Sequence, residues 1–292
     1  TAQAGASTAG APSPVARFDT AGTALLAAGV AALLLAPALI GTPDALLASS
    51  VSAAVGASLI VAFIQREGRR PHPFLPAATA RSPAFWIINA AGAVVQFSSF
   101  AVPLISPYYL LRVVEVSPMG TGALLSVWAL GSLLGAGLAN RMIRARGGRS
   151  TALAAALLVV VGLAGEALWP AHLSLLAVLA CLAVQGFGLG LFQVAYADLV
   201  VEALPVSARG VAGSLTMVTR TVGIVLGASI WIGILQSANQ GLATGGPAAQ
   251  AVFMSAFSTV HAIAATVTAV FFALTLPVWR GRARMGEPSV RP

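Results

Sequence analysis

Arg220 is the residue that the physics of a membrane least allows to be idle. Ten uncharged residues precede it and a long uncharged run follows. An arginine in mid-span costs at least about 2.5–3.5 kcal/mol on insertion scales, so it must face a wet cavity or a partner. Two readings stand. Arg220 couples to a substrate or a proton, or it packs against carbonyls and glutamines of its own bundle. Gly223 and Gly227 follow three and seven residues later on the same helical face and allow a neighbouring helix to approach closely.

Two other stretches place polar groups at membrane depth. One reads Gln185, Gly186, Gly188, Gly190, Gln193, Tyr196, Asp198. Its alternating glycines lack the preceding strand that a dinucleotide loop requires, so they read as helix-packing positions. Gln185 and Gln193 face the bundle or a cavity. Asp198 either pairs with a loop arginine or carries a proton. In the other stretch, Asn89, Gly92, Gln96, Ser99 and Pro103 recur at alternating spacings of three and four, which makes one small polar face. Phe97 and Phe100 flank it.

No catalytic constellation and no metal site is expected. His72, His172 and His261 are far apart, and no GxSxG, HExxH or phosphate-binding loop is present. A lone His261 reads as a hydrogen-bonded bundle histidine. Glu166 reads as a charge blurring the outer end of its span. Arg112 and Glu115, one helical turn apart, read as a surface pair of little weight.

The elements that must position these residues are long apolar helices. The 292 residues are 58% hydrophobic and 8% charged, whereas a soluble domain carries roughly 25% charged residues. Eight runs, at 21–40, 45–64, 83–111, 116–139, 151–168, 171–199, 210–236 and 250–279, meet or approach the roughly 20 residues needed to cross a bilayer. The fold class is an all-α polytopic membrane protein, and the ten-residue alternation of a β-barrel is absent.

The net charge is +8 with no lysine. Fourteen of the sixteen arginines fall in alternate gaps between runs, so membrane orientation explains them better than nucleic-acid binding. The positive-inside rule places both termini and the arginine loops in the cytoplasm. Contact with bilayer headgroups is secondary.

Residues 1–18 read as a flexible linker and 19–65 as a two-helix hairpin turning at Gly41–Asp44. A basic connector at 66–82 leads to a six-helix bundle at 83–280 and a tail at 281–292. Within the bundle, Gly131, Leu134, Gly135 and Ala136 recur as Gly223, Leu226, Gly227 and Ala228. Each set lies on the second helix of a trio, and the two helices run oppositely, as in an inverted repeat. The other reading is chance in a chain rich in Gly, Leu and Ala. Trp128 occupies the repeat position of Arg220.

Several stretches resemble the fourteen-span drug:proton antiporters of the major facilitator superfamily. They are Arg17 to Gly22, Pro107 to Leu111 with Ser117, Pro118 and Gly122, Gly137 to Arg141 with Gly147 to Arg149, Gly186 to Phe192, and Arg209 to Ser214 followed by Arg220, Gly223 and Gly227. The resemblance implies that this chain corresponds to the last eight spans, with a hairpin before the C-terminal six-helix bundle and the N-terminal bundle missing. The family's membrane-embedded proton-coupling acid belongs to that missing bundle and is carried over to no residue here. Asn140 stands where the loop motif has aspartate, and Leu111 stands where glutamine is common.

The resemblance also implies proton-driven export of hydrophobic or cationic small molecules, with no cofactor beyond the proton gradient and no nucleic acid. Gln96, Phe100, Gln185 and Gln193 would contact substrate, while Arg220, Asp198 and Arg141 would couple or gate. Gly131, Gly135, Gly223 and Gly227 would pack helices. A bacterial cytoplasmic membrane is the implied location. The competing reading is a transporter-derived subunit or scaffold, and behind it a membrane-embedded enzyme.

Overall fold

The computed structural model describes residues 20–38, 45–67, 79, 81–170, 172, 174–242 and 247–280. The expected linker, the Gly41–Asp44 turn, most of the basic connector and the tail lie outside the described residues. All regular structure among the described residues is helical. The helices are α1 (Thr20–Ala38), α2 (Ala45–Glu67), α3 (Pro83–Ser99), α4 (Ala101–Tyr108), α5 (Pro118–Arg146), α6 (Gly148–Ala167), α7 (Leu175–Ala203), α8 (Ala212–Leu242) and α9 (Pro247–Arg280).

Among the described residues, six spans are long and apolar enough to cross a membrane: Pro83–Val113 and those built on α5, α6, α7, α8 and α9. The first two expected spans form α1 and α2, whose described apolar stretches run over Thr20–Ala32 and Ser50–Phe63. The two helices pack together, and Ser52 Oγ donates to the Ala32 carbonyl at 2.7 Å.

Local chemistry sets the helix ends. Ser82 precedes Pro83, and its Oγ accepts from Phe85 N–H at 3.4 Å; Ser117 precedes Pro118, and its Oγ accepts from Gly120 N–H at 3.2 Å. Proline tolerates the first helical turn because its missing N–H would be unpaired there anyway. Between α5 and α6 the chain turns through Gly147, whose φ of 83° lies in the region that L side chains avoid.

The third span is irregular. Pro103 and Pro107 offer no N–H to the carbonyls four residues earlier, and the helix breaks at Phe100 between α3 and α4. It then widens into a π turn at Tyr109–Val113, where Val114 N–H donates to the Tyr109 carbonyl at 3.2 Å. The helix ends there and Glu115 takes φ 57°. The expected Arg112–Glu115 pair does not form, because the helical register that would align the two is gone.

The six spans interlock as two trios: the third span with α5 and α6, and α7 with α8 and α9. The second helix of each trio packs on the first helix of the other. Gly131 of α5 lies against the Ala183 carbonyl of α7, where a Cβ would come within 2.7 Å, and Gly135 lies still closer to the Phe187 carbonyl. On the other side, Gly223 of α8 lies against the Ala93 carbonyl of α3, and Gly227 against that of Phe97, where a Cβ would come within 2.6 Å. Glycines expected to pair by sequence thus meet an Ala and a Phe four residues apart on each partner helix. The same spacing therefore serves the same packing role on α5 and on α8.

Candidate functional site

The third span and α7 form the centre of the bundle, with 56% and 50% of their apolar windows buried, against 17% for α5 and 22% for α8. Toward the arginine-bearing end, α3, α7 and α8 diverge around an open cavity of about 190 Å³. Gly92 and Gln96 line it from α3. Phe192, Gln193, Tyr196 and Ala197 line it from α7, and Thr216, Met217 and Arg220 from α8.

Its floor is a closed set of polar contacts. Asn89 is buried; its Nδ2 donates to the Phe85 carbonyl at 2.9 Å. Its Oδ1 accepts from Tyr196 O–H at 3.1 Å and from Thr219 Oγ1 at 3.4 Å. One amide therefore ties three helices together. Gly92 supplies the room, since a Cβ there would sit 2.6 Å from the Tyr196 ring. Higher in the cavity, Gln193 Nε2 donates to Gln96 Oε1 at 3.4 Å and bridges α7 to α3.

Arg220 reaches this cavity and is exposed, with no hydrogen bond or ion pair among the described residues. It lies eight residues into α8, roughly 12 Å along its axis. These helices leave the cavity open at its guanidinium. It does not pack against glutamines of its own bundle.

The remaining expected residues lie elsewhere. Gln185 is fully buried beside Gly162, and its Oε1 accepts from Trp128 Nε1 across α5 and α7. Phe100 sits half-buried at the α3–α4 joint, outside the cavity lining. Phe97 packs in the core, with its ring 4.6 Å from that of Trp231, whose Nε1 donates to the Phe97 carbonyl at 2.9 Å. Arg141 is exposed at the arginine-bearing end of α5. Asp198 is exposed and forms no ion pair with an arginine among the described residues. Its Oδ2 lies 3.2 Å from where a Cβ on Gly148 would be, at the first residue of α6, where the helix dipole favours a carboxylate.

The structure also joins two residues that the sequence reading kept apart. Glu166 Oε2 and His261 Nε2 stand 3.1 Å apart, and both side chains are 0% exposed. Glu166 does not mark a wet span end; it is sealed between α6 and α9. The imidazole Nδ1 lies 2.9 Å from the Phe257 carbonyl, and the Phe257 ring centroid is 4.3 Å from the imidazole. Tyr109 and Trp169 lie 5.0 and 5.6 Å from Phe257. Ser258 Oγ donates to the Ala167 carbonyl beside the pair. A lone acid near one helix end and a histidine in another helix carry no shared motif. Only their equal distance from the arginine-bearing end, about 27–28 Å at 1.5 Å per residue, hinted at the contact.

Comparison with known proteins fits this architecture. The profile of the sugar (and other) transporter family matches residues 85–282. The riboflavin transporter RibZ of Clostridioides difficile is 26% identical over 166 residues, which is 57% of this chain and 36% of that protein. A multidrug resistance protein B homolog of Mycobacterium tuberculosis is 27% identical over 185 residues, 62% of this chain and 34% of that protein. These matches cover little more than a third of each relative's length. A crystal structure of a bacterial homolog to the human lysosomal transporter Spinster, inward-facing and unoccupied, superposes with a TM-score of 0.52 at 16% identity. It covers 88% of this chain and 68% of that one. The chain belongs to the sugar (and other) transporter family, of the major facilitator type.

Proposed function

We propose that the chain forms one wall of a proton-coupled exporter of hydrophobic small molecules. The observation that carries this reading is the cavity between α3, α7 and α8. It combines aromatic faces (Phe192, Tyr196), two amides (Gln96, Gln193) and one cation (Arg220). Apolar walls with a few convergent polar groups suit a flat ring system with polar edges. The low burial of α5 and α8 supports docking of their apolar outer faces on a second helical bundle, so that the cavity closes between the two.

The names of the relatives favour two substrate classes, drugs and a flavin. Arg220 discriminates between charges. A guanidinium in the wall disfavours a cation and favours a neutral or anionic solute. The reading therefore keeps the hydrophobic part of the expected substrate range. A cationic substrate would need acids on the opposing wall.

In the same proposal, the arginine-bearing end faces the cytoplasm of a bacterial cell and the protein sits in its inner membrane. The test is transport by the full-length protein in proteoliposomes. An imposed pH gradient should drive movement of a neutral planar dye, and Arg220→Gln should change the preference between anionic and cationic analogues. Gradient-independent movement would overturn the coupling. Unchanged charge preference would remove Arg220 from the substrate path.

A further inference from the structure

We propose that Glu166 and His261 form a proton-binding site, distinct from the cavity, that holds one exchangeable proton between Oε2 and Nε2. The argument starts at the far side of the imidazole. Nδ1 lies 2.9 Å from the Phe257 carbonyl oxygen. A carbonyl only accepts, so Nδ1 carries a hydrogen. In a neutral imidazole Nε2 then presents a lone pair, and it faces a carboxylate oxygen at 3.1 Å. Two acceptors at that distance in a dry site repel each other. One proton on either atom converts the contact into a hydrogen bond and leaves the pair with no net charge. Removing that proton strands a negative charge, and adding another strands a positive one.

The surroundings give no third group to absorb such a charge. The pair is 0% exposed, and Glu166 Oε1 has no hydrogen-bond partner among the described residues. Of the elements packed on α6 and α9, α7 presents Cys181, which lies under Gly165, and the π turn presents Tyr109. The Tyr109 hydroxyl donates to the Pro170 carbonyl at 2.7 Å. Neither group bears a formal positive charge, and the other titratable groups at this end, Arg112 of the same π turn and His172 beyond α6, are exposed. The arginines of α5 lie at the opposite end, and Arg220 of α8 is roughly 15 Å shallower along the helix axis.

The proton content is therefore tied to whether α6 and α9 stay seated at this end. Ser258 and the Phe257–Tyr109–Trp169 cluster hold that seat closed. Any motion that parts the two helices exposes the pair and lets the proton exchange. The inference does not depend on proton-driven transport, because the pair binds its proton whether or not transport consumes it.

The experiment is ¹⁵N-histidine spectroscopy of the protein in lipid nanodiscs. His72, His172 and His261 are the chain's only histidines, so few signals need assignment. In the wild type, the His261 ring signals and the infrared carboxyl band of Glu166 should together account for one proton on the pair, on one atom or the other. In Glu166→Gln the side-chain amide can donate to Nε2, and His261 should be neutral with its hydrogen on Nδ1. In His261→Gln the Glu166 band should be that of a neutral acid. Three results would overturn the proposal: an ionised Glu166 beside a neutral His261 in the wild type; a doubly protonated His261 in Glu166→Gln; or an ionised Glu166 in His261→Gln.

Discussion

The open cavity and the closed pair handle charge inside a helical bundle in opposite ways. Arg220 lines an open cavity and forms no ion pair among the described residues. Glu166 has no water and stands against His261 at 3.1 Å. By sequence, Arg220 was the costly residue and Glu166 an incidental one. Among these helices Glu166 is the sealed one, and the cost of a charge depends on solvation rather than on position along the helix.

The largest effect that would break this contrast is at His261. His261→Ala leaves Glu166 as a buried neutral acid without its partner beside a new cavity, and should destabilise the bundle by about 2–4 kcal/mol. Glu166→Gln replaces the carboxyl with an amide that can donate to Nε2, and it should cost no more than about 1 kcal/mol. Thermal unfolding in nanodiscs separates the two. Equal losses would mean that the carboxyl itself, not its pairing, holds α6 to α9.

A middle-sized effect tests the frame around both sites. Gly135→Ala on α5 and Gly223→Ala on α8 push a methyl into the Phe187 and Ala93 carbonyls. Each should cost about 1–3 kcal/mol by overpacking. Gly137→Ala has open space around its Cβ and should be neutral or stabilising by up to about 1 kcal/mol. If Gly135 and Gly137 respond alike, α5 does not seat on α7 through this face.

A smaller effect is expected at the cavity floor. Asn89→Ala removes the acceptor of Tyr196 and Thr219. It should cost roughly 1–3 kcal/mol if Tyr196 stays dry, and less if cavity water replaces the amide. The smallest stability effect belongs to Arg220. Arg220→Gln should lie within about 0.5 kcal/mol of wild type, as for other exposed changes. A large stability loss there would mean that the guanidinium is held, and the contrast with Glu166 would collapse.

Much of the frame was legible in the chain. Apolar length gave eight runs, six of which are long apolar helices among the described residues. The repeated Gly131–Gly135 and Gly223–Gly227 spacing marked the contact faces, because close helix approach demands small residues wherever it occurs. The cavity was legible only in part. Gln96, Gln193 and Arg220 meet there, whereas Gln185 faces Trp128 and Phe100 sits at the α3–α4 joint. A helical wheel gives the face of a residue but not which neighbour covers that face.

The sequence by itself determined the class of molecule, the helices and the small-residue seams, since each follows from spacing along one helix and from the bilayer's demand for apolar length. Tertiary structure alone decided which charges are wet and which are dry. Glu166 and His261 are distant in the chain and meet only when α6 packs on α9. Arg220 looks buried until α3, α7 and α8 diverge around it. Desolvation is a property of the surrounding helices together, and no single helix encodes it.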